Sequence, residues 1–142
     1  FEAACFDNAH LEGARLAKTN FRSASFVGAK LHGTICGFAQ MQNADLSWSR
    51  LRSADLLAAH LTGATLEGAD LRGARLWGSK MQSAYLRGTR LEGTEFHSVN
   101  VEGALFFGTH MSSKTVLHGL EADGAAITSL QNVAIDQFRP YW

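Results

Sequence analysis

The stretch Ala64-Thr-Leu-Glu-Gly-Ala69-Asp-Leu-Arg-Gly-Ala74-Arg-Leu-Trp-Gly78 decides the fold of this chain, because it contains one five-residue unit three times in succession. In each unit a small residue stands first, leucine third and glycine fifth. A period of five fits neither the 3.6-residue period of an α-helix nor the two-residue period of an ordinary strand. The chain must therefore turn once in every unit.

The same unit extends in both directions and covers residues 1–113. Every fifth residue from Phe1 to Met111, 23 positions in all, is Phe, Leu, Met, Val or Cys. The residue two places earlier is Ala, Ser or Thr except at Val99, and the residue two places later is usually Gly, Ser, Asn or Ala. We expect the apolar and small residues to point inward and the later residue to form a corner, since Gly tolerates a positive φ. The pattern predicts a solenoid with coils ~4.8 Å apart.

Over residues 1–113 these units resemble the pentapeptide-repeat family. The resemblance implies an all-β fold, a right-handed quadrilateral parallel β-helix with four units in each coil. The Asp or Asn that the family favours before the central leucine occurs only at Asn20, Asp45, Asp55, Asp70 and Asn100. Because that slot faces outward, the difference concerns the surface and its partner rather than the fold.

The register changes near Lys114, after which Thr115-Val-Leu-His-Gly119 and the two following units resume the pattern displaced by one residue. We expect residues 1–129 to form the β-helix, regular over 1–113 and less regular over 115–129, with Leu117, Ala122 and Ile127 inward. Residues 130–142 include Val133, Ile135, Phe138, Tyr141 and Trp142 and show no repeat. They predict a C-terminal capping tail, because the end of a solenoid exposes unpaired backbone and an open core.

Composition limits the partners and the compartment. Lys and Arg total 13, as do Asp and Glu, so the net charge is zero and no global field attracts nucleic acid or an anionic membrane. No apolar run reaches the length of a membrane span, and the N-terminus lacks the order of a signal peptide. Cys5 and Cys36 offer no disulfide framework, so we expect a cytoplasmic location. Phe1 is not an initiator residue, which predicts a longer polypeptide.

With four units per coil, residues twenty apart share one side, and the outward slots sort into four sides. The first side holds residues 5, 7, 25, 27, 45, 47, 65, 67, 85, 87, 105 and 107. The second side holds residues 10, 12, 30, 32, 50, 52, 70, 72, 90, 92, 110 and 112. The third side holds residues 15, 17, 35, 37, 55, 57, 75, 77, 95 and 97. The fourth side holds residues 20, 22, 40, 42, 60, 62, 80, 82, 100 and 102, which are all polar.

Large apolar residues break the polar pattern on the third side. Ile35, Leu57 and Trp77 occupy outward slots on successive coils, and Phe38 stands at the adjoining corner. An aligned apolar cluster with a tryptophan favours a protein-binding site. The competing interpretation is ordinary scattered apolar surface.

A second apolar group lies near the C-terminal end of the first side. It consists of Tyr85, Leu105 and Phe107. The aromatic residues of the tail must also bury their surface; they are Phe138, Tyr141 and Trp142. We expect the two groups to meet, or the first group to form a homodimer contact at this end.

The sequence favours no catalytic, metal or cofactor site. The six histidines fall on different coils and sides, whereas zinc needs three or four converging ligands. Glycines spaced by five indicate corners rather than a phosphate-binding loop. The second side is mildly basic, with five Lys or Arg against three acids. The second side could bind phosphate or an acidic partner, but acids interrupt it and no aromatic residues interleave, so a solvated face is the simpler interpretation and nucleic acid is an unfavoured partner.

We therefore expect a non-enzymatic, rigid protein-interaction or scaffolding module from a larger bacterial protein, with another protein or domain as its partner. The family resemblance implies one alternative, an acidic DNA mimic that protects DNA gyrase, which the neutral charge of this chain disfavours. A second alternative is an appendage of an enzyme or effector whose catalytic domain lies elsewhere.

Overall fold

The computed structural model describes residues 1–121, which wind into a right-handed quadrilateral parallel β-helix. Parallel backbone bridges join residues twenty apart on all four sides, as in the series Cys5, Ser25, Asp45 and Thr65. Four five-residue units therefore complete one coil, as the family resemblance implies. The four sides defined from the sequence are the four sides of the molecule.

The paired backbone segments between neighbouring coils are short, and they recur at a regular spacing along the chain. Phe6 N–H donates to the Ser25 carbonyl at 2.7 Å, and Ser25 N–H donates to the Ala4 carbonyl at 2.9 Å. Most sides pair through a single bridge residue. Within the described residues the two longer strands are β1 (Glu95–His97) and β2 (Val116–His118), which are parallel neighbours. The backbone of each coil is thus satisfied by the coils on either side of it.

Apart from the turn that contains Lys114, each described corner is a tight turn whose third residue has a positive φ. The turn after Leu61 is closed by a 2.9 Å hydrogen bond from Ala64 N–H to the Leu61 carbonyl, and Gly63 has φ 67°. A type II turn requires this conformation at its third residue. Phe38 and Trp48 also adopt φ 59°, which is strained for bulky side chains. The corner pattern therefore tolerates other residues but favours glycine.

The interior consists of two sets of buried side chains in each coil. Leu46, Leu51, Leu56 and Leu61 are all buried on four successive sides, which confirms the predicted inward ladder. The small-residue slots accept Ser and Thr, and most of their hydroxyls find backbone acceptors within the core, with Ser79 as an exception. Thr34 Oγ1, for example, donates to the Leu31 carbonyl at 2.7 Å.

The spacing of the ladder increases by one residue near Lys114. Arg90 pairs with His110, twenty residues later, whereas Glu95 pairs with Val116, twenty-one residues later. The extra residue lies in the turn that contains Lys114, which is exposed. Beyond it, Leu117 and Leu120 are buried, and Leu120 fills a slot that elsewhere holds a small residue.

Part of the predicted domain organisation lies outside the described residues. This applies to Ala122, Ile127 and the proposed capping tail at 130–142. The boundaries 1–129 and 130–142 therefore stay predictions.

Candidate functional site

The apolar cluster on the third side is exposed at the surface. Ile35, Leu57 and Trp77 are 39%, 38% and 38% exposed, and Phe38 at the corner is 52% exposed. Polar residues cost nothing in such outward slots, so these apolar side chains need a reason other than the core. We call these four residues the third-side patch.

Backbone pairing makes the third-side patch continuous across adjacent coils. Phe38 N–H donates to the Leu57 carbonyl at 2.8 Å, and Ala58 N–H donates to the Trp77 carbonyl at 2.7 Å. The side chain of Leu57 stands beside Gly37, which has none of its own. Phe38, Leu57 and Trp77 thus lie on adjacent coils, and Ile35 lies in the neighbouring row of the same side, where it is bridged to Asp55.

Trp77 is held in place by polar neighbours from its own and the next coil. Its indole Nε1–H donates to Glu95 Oε2 at 2.8 Å. The Arg75 guanidinium lies 4.8 Å from the ring centroid, and the edge-on His97 ring lies 4.9 Å away. These contacts fix the orientation of the indole before any partner binds, which reduces the entropy that binding must overcome.

Charged groups border the third-side patch. Arg75 Nη1 lies 3.8 Å from Asp55 Oδ2, and Glu95 is bound to the indole of Trp77. An apolar centre with a charged rim is the usual composition of a protein–protein interface. The patch has this composition on a small scale.

The first side carries the other predicted apolar group. Tyr85, Leu105 and Phe107 are exposed and line a groove of about 590 Å³, with Arg87 lying 6.0 Å from the Phe107 ring. The predicted tail residues Phe138, Tyr141 and Trp142 lie outside the described residues. Contact with the tail or with a second copy therefore stays a prediction.

The second side is basic in the structure as in the sequence. The bridged series runs His10, Lys30, Arg50, Asp70 and Arg90. Glu12 lies near the N-terminal end of this side, and the pKa of its carboxyl is lowered. The main cause is a hydrogen bond from the backbone of Glu12 itself, and the charges of neighbouring His and Lys side chains add to it. With five Lys or Arg against three acids, this side is locally basic although the chain is neutral.

The remaining reactive groups are dispersed. Among residues 1–121, no cluster of three or more His, Cys, Asp or Glu side chains is arranged to hold a metal ion. Cys36 is buried and Cys5 is exposed, both as free thiols, and burial raises the pKa of the Cys36 thiol. No helix in this part of the chain is long and apolar enough to span a bilayer.

Trp48 is an exposed aromatic residue for which the repeat pattern predicted no site. It is 63% exposed, and its indole lies over the backbone of Gly68 on the next coil. A side chain at Gly68 would collide with that ring. The signal was present in the sequence, since a bulky corner residue is followed twenty residues later by glycine.

The repeat pattern and the geometry together define a class of protein. The family model for pentapeptide repeats matches in eight copies, over residues 4–35, 39–78 and 74–112. The chain belongs to the pentapeptide-repeat family. A comparison with curated protein sequences finds no significant match.

Solved structures of other family members resemble this chain. HetL, a pentapeptide repeat protein involved in heterocyst differentiation regulation in Nostoc sp. strain PCC 7120, is 27% identical over 87% of this chain, with a TM-score of 0.53. A protein of the Arabidopsis thaliana thylakoid lumen is 31% identical over 72% of this chain, with a TM-score of 0.48. The chain spans 62% of HetL and 61% of the Arabidopsis protein.

Proposed function

We propose that this chain is a non-enzymatic, rigid interaction module that binds another protein through the third-side patch. The main support for the proposal is that Ile35, Leu57 and Trp77 are exposed on one side of three successive coils, and that Arg75 and Glu95 already orient the indole of Trp77. Because the coils are tied together by backbone hydrogen bonds, the third-side patch keeps its shape when a partner binds.

The apolar area is sufficient for a moderate contact. At ~25 cal/mol per Å² of apolar surface, burial of Trp77 with its neighbours supplies several kcal/mol before the entropy of association is subtracted. The charged rim then selects among partners rather than adding much free energy. We expect a partner that presents an apolar ridge or pocket flanked by charges.

The DNA-mimic alternative gains no support from the distribution of charge. Such a role needs a dense acidic surface, whereas the most charged side of this chain is basic. The third-side patch is apolar and carries both signs of charge at its rim. The charge distribution therefore favours the interaction-module proposal over the DNA-mimic alternative.

The test is a comparison of two exposed tryptophans. Capture from a lysate of the host organism should recover the same partner with the wild-type chain and with Trp48→Asp, but not with Trp77→Asp. Both variants should keep melting temperatures within a few degrees of wild type, because both side chains lie outside the core. Retention of the partner by Trp77→Asp, or unfolding of that variant, would show that the third side is not the site.

The same experiment separates the third side from the predicted end contact. Phe107→Asp should leave partner capture unchanged while it lowers the melting temperature or the oligomeric mass, since we assign Tyr85, Leu105 and Phe107 to the tail or to a homodimer. Loss of the partner with unchanged mass and stability would move the partner site to the first side.

A further inference from the structure

The second side contains a concentrated arginine cluster over three consecutive coils. Arg50 pairs with Asp70, and Asp70 pairs with Arg90, along one bridged row. Arg52 and Arg72 lie beside this row, and all five residues line a groove of about 700 Å³. Four arginines and one aspartate therefore line the same groove.

Asp70 holds two of these arginines in place. Its Oδ2 accepts a hydrogen bond from Arg52 Nε at 2.7 Å, and its two oxygens accept bonds from Arg72 Nε at 2.8 Å and Nη2 at 2.7 Å. The side chain of Asp70 is only 16% exposed. The carboxylate thus acts as an internal anchor, and most N–H donors of the two guanidinium groups stay available.

The other two arginines are less neutralised. Within the described residues, Arg50 forms no ion pair, and Arg90 reaches Glu92 Oε1 only at 3.6 Å. Four positive charges against the two negative charges of Asp70 and Glu92 leave a local excess of two. At ~4.8 Å per coil, the backbones of Arg50 and Arg90 are roughly 10 Å apart, so their long side chains can converge on one small ligand.

The arrangement fits a compact dianion. Planar guanidinium groups bind phosphate oxygens in pairs, which is why arginine predominates in phosphate recognition. A long polyanion would meet the carboxylates of Glu12, Asp70 and Glu92, whereas a single phosphoryl group between Arg50 and Arg90 lies mainly near Asp70, whose oxygens are already bound by Arg52 and Arg72. We propose that the second side binds a phosphate monoester dianion between Arg50 and Arg90, with Arg52 and Arg72 as fixed flanking donors.

The experiment titrates the full chain with two probes, free O-phosphoserine and a short phosphoserine peptide, and follows binding by phosphorus NMR and calorimetry. The wild type should bind one equivalent saturably. Loss of two charge-assisted contacts in Arg50→Gln/Arg90→Gln should weaken binding about tenfold or more. The matched control Arg15→Gln/Arg22→Gln removes the same charge from exposed positions on other sides and should bind like the wild type.

The variant Asp70→Asn distinguishes a built binding site from diffuse electrostatic attraction. This variant makes the groove more positive, but it removes the carboxylate that holds Arg52 and Arg72. If these arginines form a built site, the variant should bind the phosphate probes more weakly. If the attraction is only diffuse, it should bind them more tightly. Tighter binding of the probes by Asp70→Asn would overturn the proposal. So would a loss of affinity in Arg15→Gln/Arg22→Gln equal to that in Arg50→Gln/Arg90→Gln. Binding of both probes supports a site for small phosphorylated molecules, and binding of the peptide alone supports a phosphorylated protein segment. Binding of duplex DNA without either probe would contradict the proposal.

Discussion

His60 and Leu61 are neighbours in the chain, yet they belong to two different parts of the molecule. Leu61 is buried in a row of apolar side chains that continues through every coil, whereas His60 lies on the polar fourth side between Gln40 and Lys80. The inward row is nearly uniform along the chain, and the outward slots differ from side to side. The interior thus specifies the fold, and the surface is free to specify the partner.

The strongest test of this comparison places the same charge in both positions. Leu61→Asp should cost about 3–5 kcal/mol and unfold the central coils, because the narrow core offers no partner for a carboxylate. The control His60→Asp should change stability little, since its carboxylate faces water and Lys80. Urea denaturation followed by circular dichroism measures both. Similar midpoints for the two variants would contradict the division into interior and surface.

A smaller effect is expected at a corner, where interior and surface meet. Gly68→Ala should destabilise the fold by about 1 kcal/mol more than Gly88→Ala, although the two glycines have φ 64° and 65° and share one corner row. A Cβ at Gly68 meets the Trp48 indole, whereas nothing lies within 4 Å of one at Gly88. The difference should therefore shrink in a Trp48→Ala background.

Thermal denaturation of the wild type, the three single variants and the two double variants with Trp48→Ala provides the measurement. An equal cost at both glycines would mean that the shared backbone strain alone matters. In that case the indole of Trp48 would not rest on Gly68 in solution.

The smallest effect concerns a surface contact between the first two coils. Asp7 accepts hydrogen bonds from Ser25 Oγ and from Val27 N–H, and the first of these is the larger cause of its lowered pKa. A carboxyl with a lowered folded-state pKa stabilises the fold above its unfolded pKa of about 3.9 and loses that effect as the pH falls through the folded value.

Asp7→Asn should therefore melt slightly below the wild type at neutral pH and together with it in strong acid. Differential scanning calorimetry between neutral pH and strong acid checks this. A difference that persists in strong acid would assign the effect to shape rather than to charge.

The five-residue period was sufficient to predict most of the fold. It predicted that Leu46, Leu51, Leu56 and Leu61 point inward, because side chains at that spacing can share one core. All four are buried. The number of units per coil came from family resemblance, since the period alone leaves it open. The assignment of residues to sides followed from that number, and the bridges twenty residues apart agree with it.

The contacts made by surface side chains were beyond the reach of the sequence. The pattern put Trp77 on the third side but gave no sign that its indole is bound by Glu95, because the direction of a long side chain depends on its neighbours across coils. Likewise, the sequence showed Asp70 as an interruption of a basic stripe. In the structure, Asp70 binds Arg52 and Arg72 and holds them in position. It is therefore part of the basic groove rather than a break in it.

The square cross-section of the coil implies a simple rule for rearranging this molecule. Inserting a twenty-residue segment moves everything beyond it along the axis by ~4.8 Å and keeps each surface pointing in its original direction. Inserting a five-residue segment instead rotates everything beyond it by a quarter turn, so that the continuation of one binding surface appears on the adjoining side. The single extra residue near Lys114 does neither, because the turn absorbs it. The relative orientation of two recognition surfaces on such a scaffold can therefore be reset in discrete angular steps by the length of the insertion.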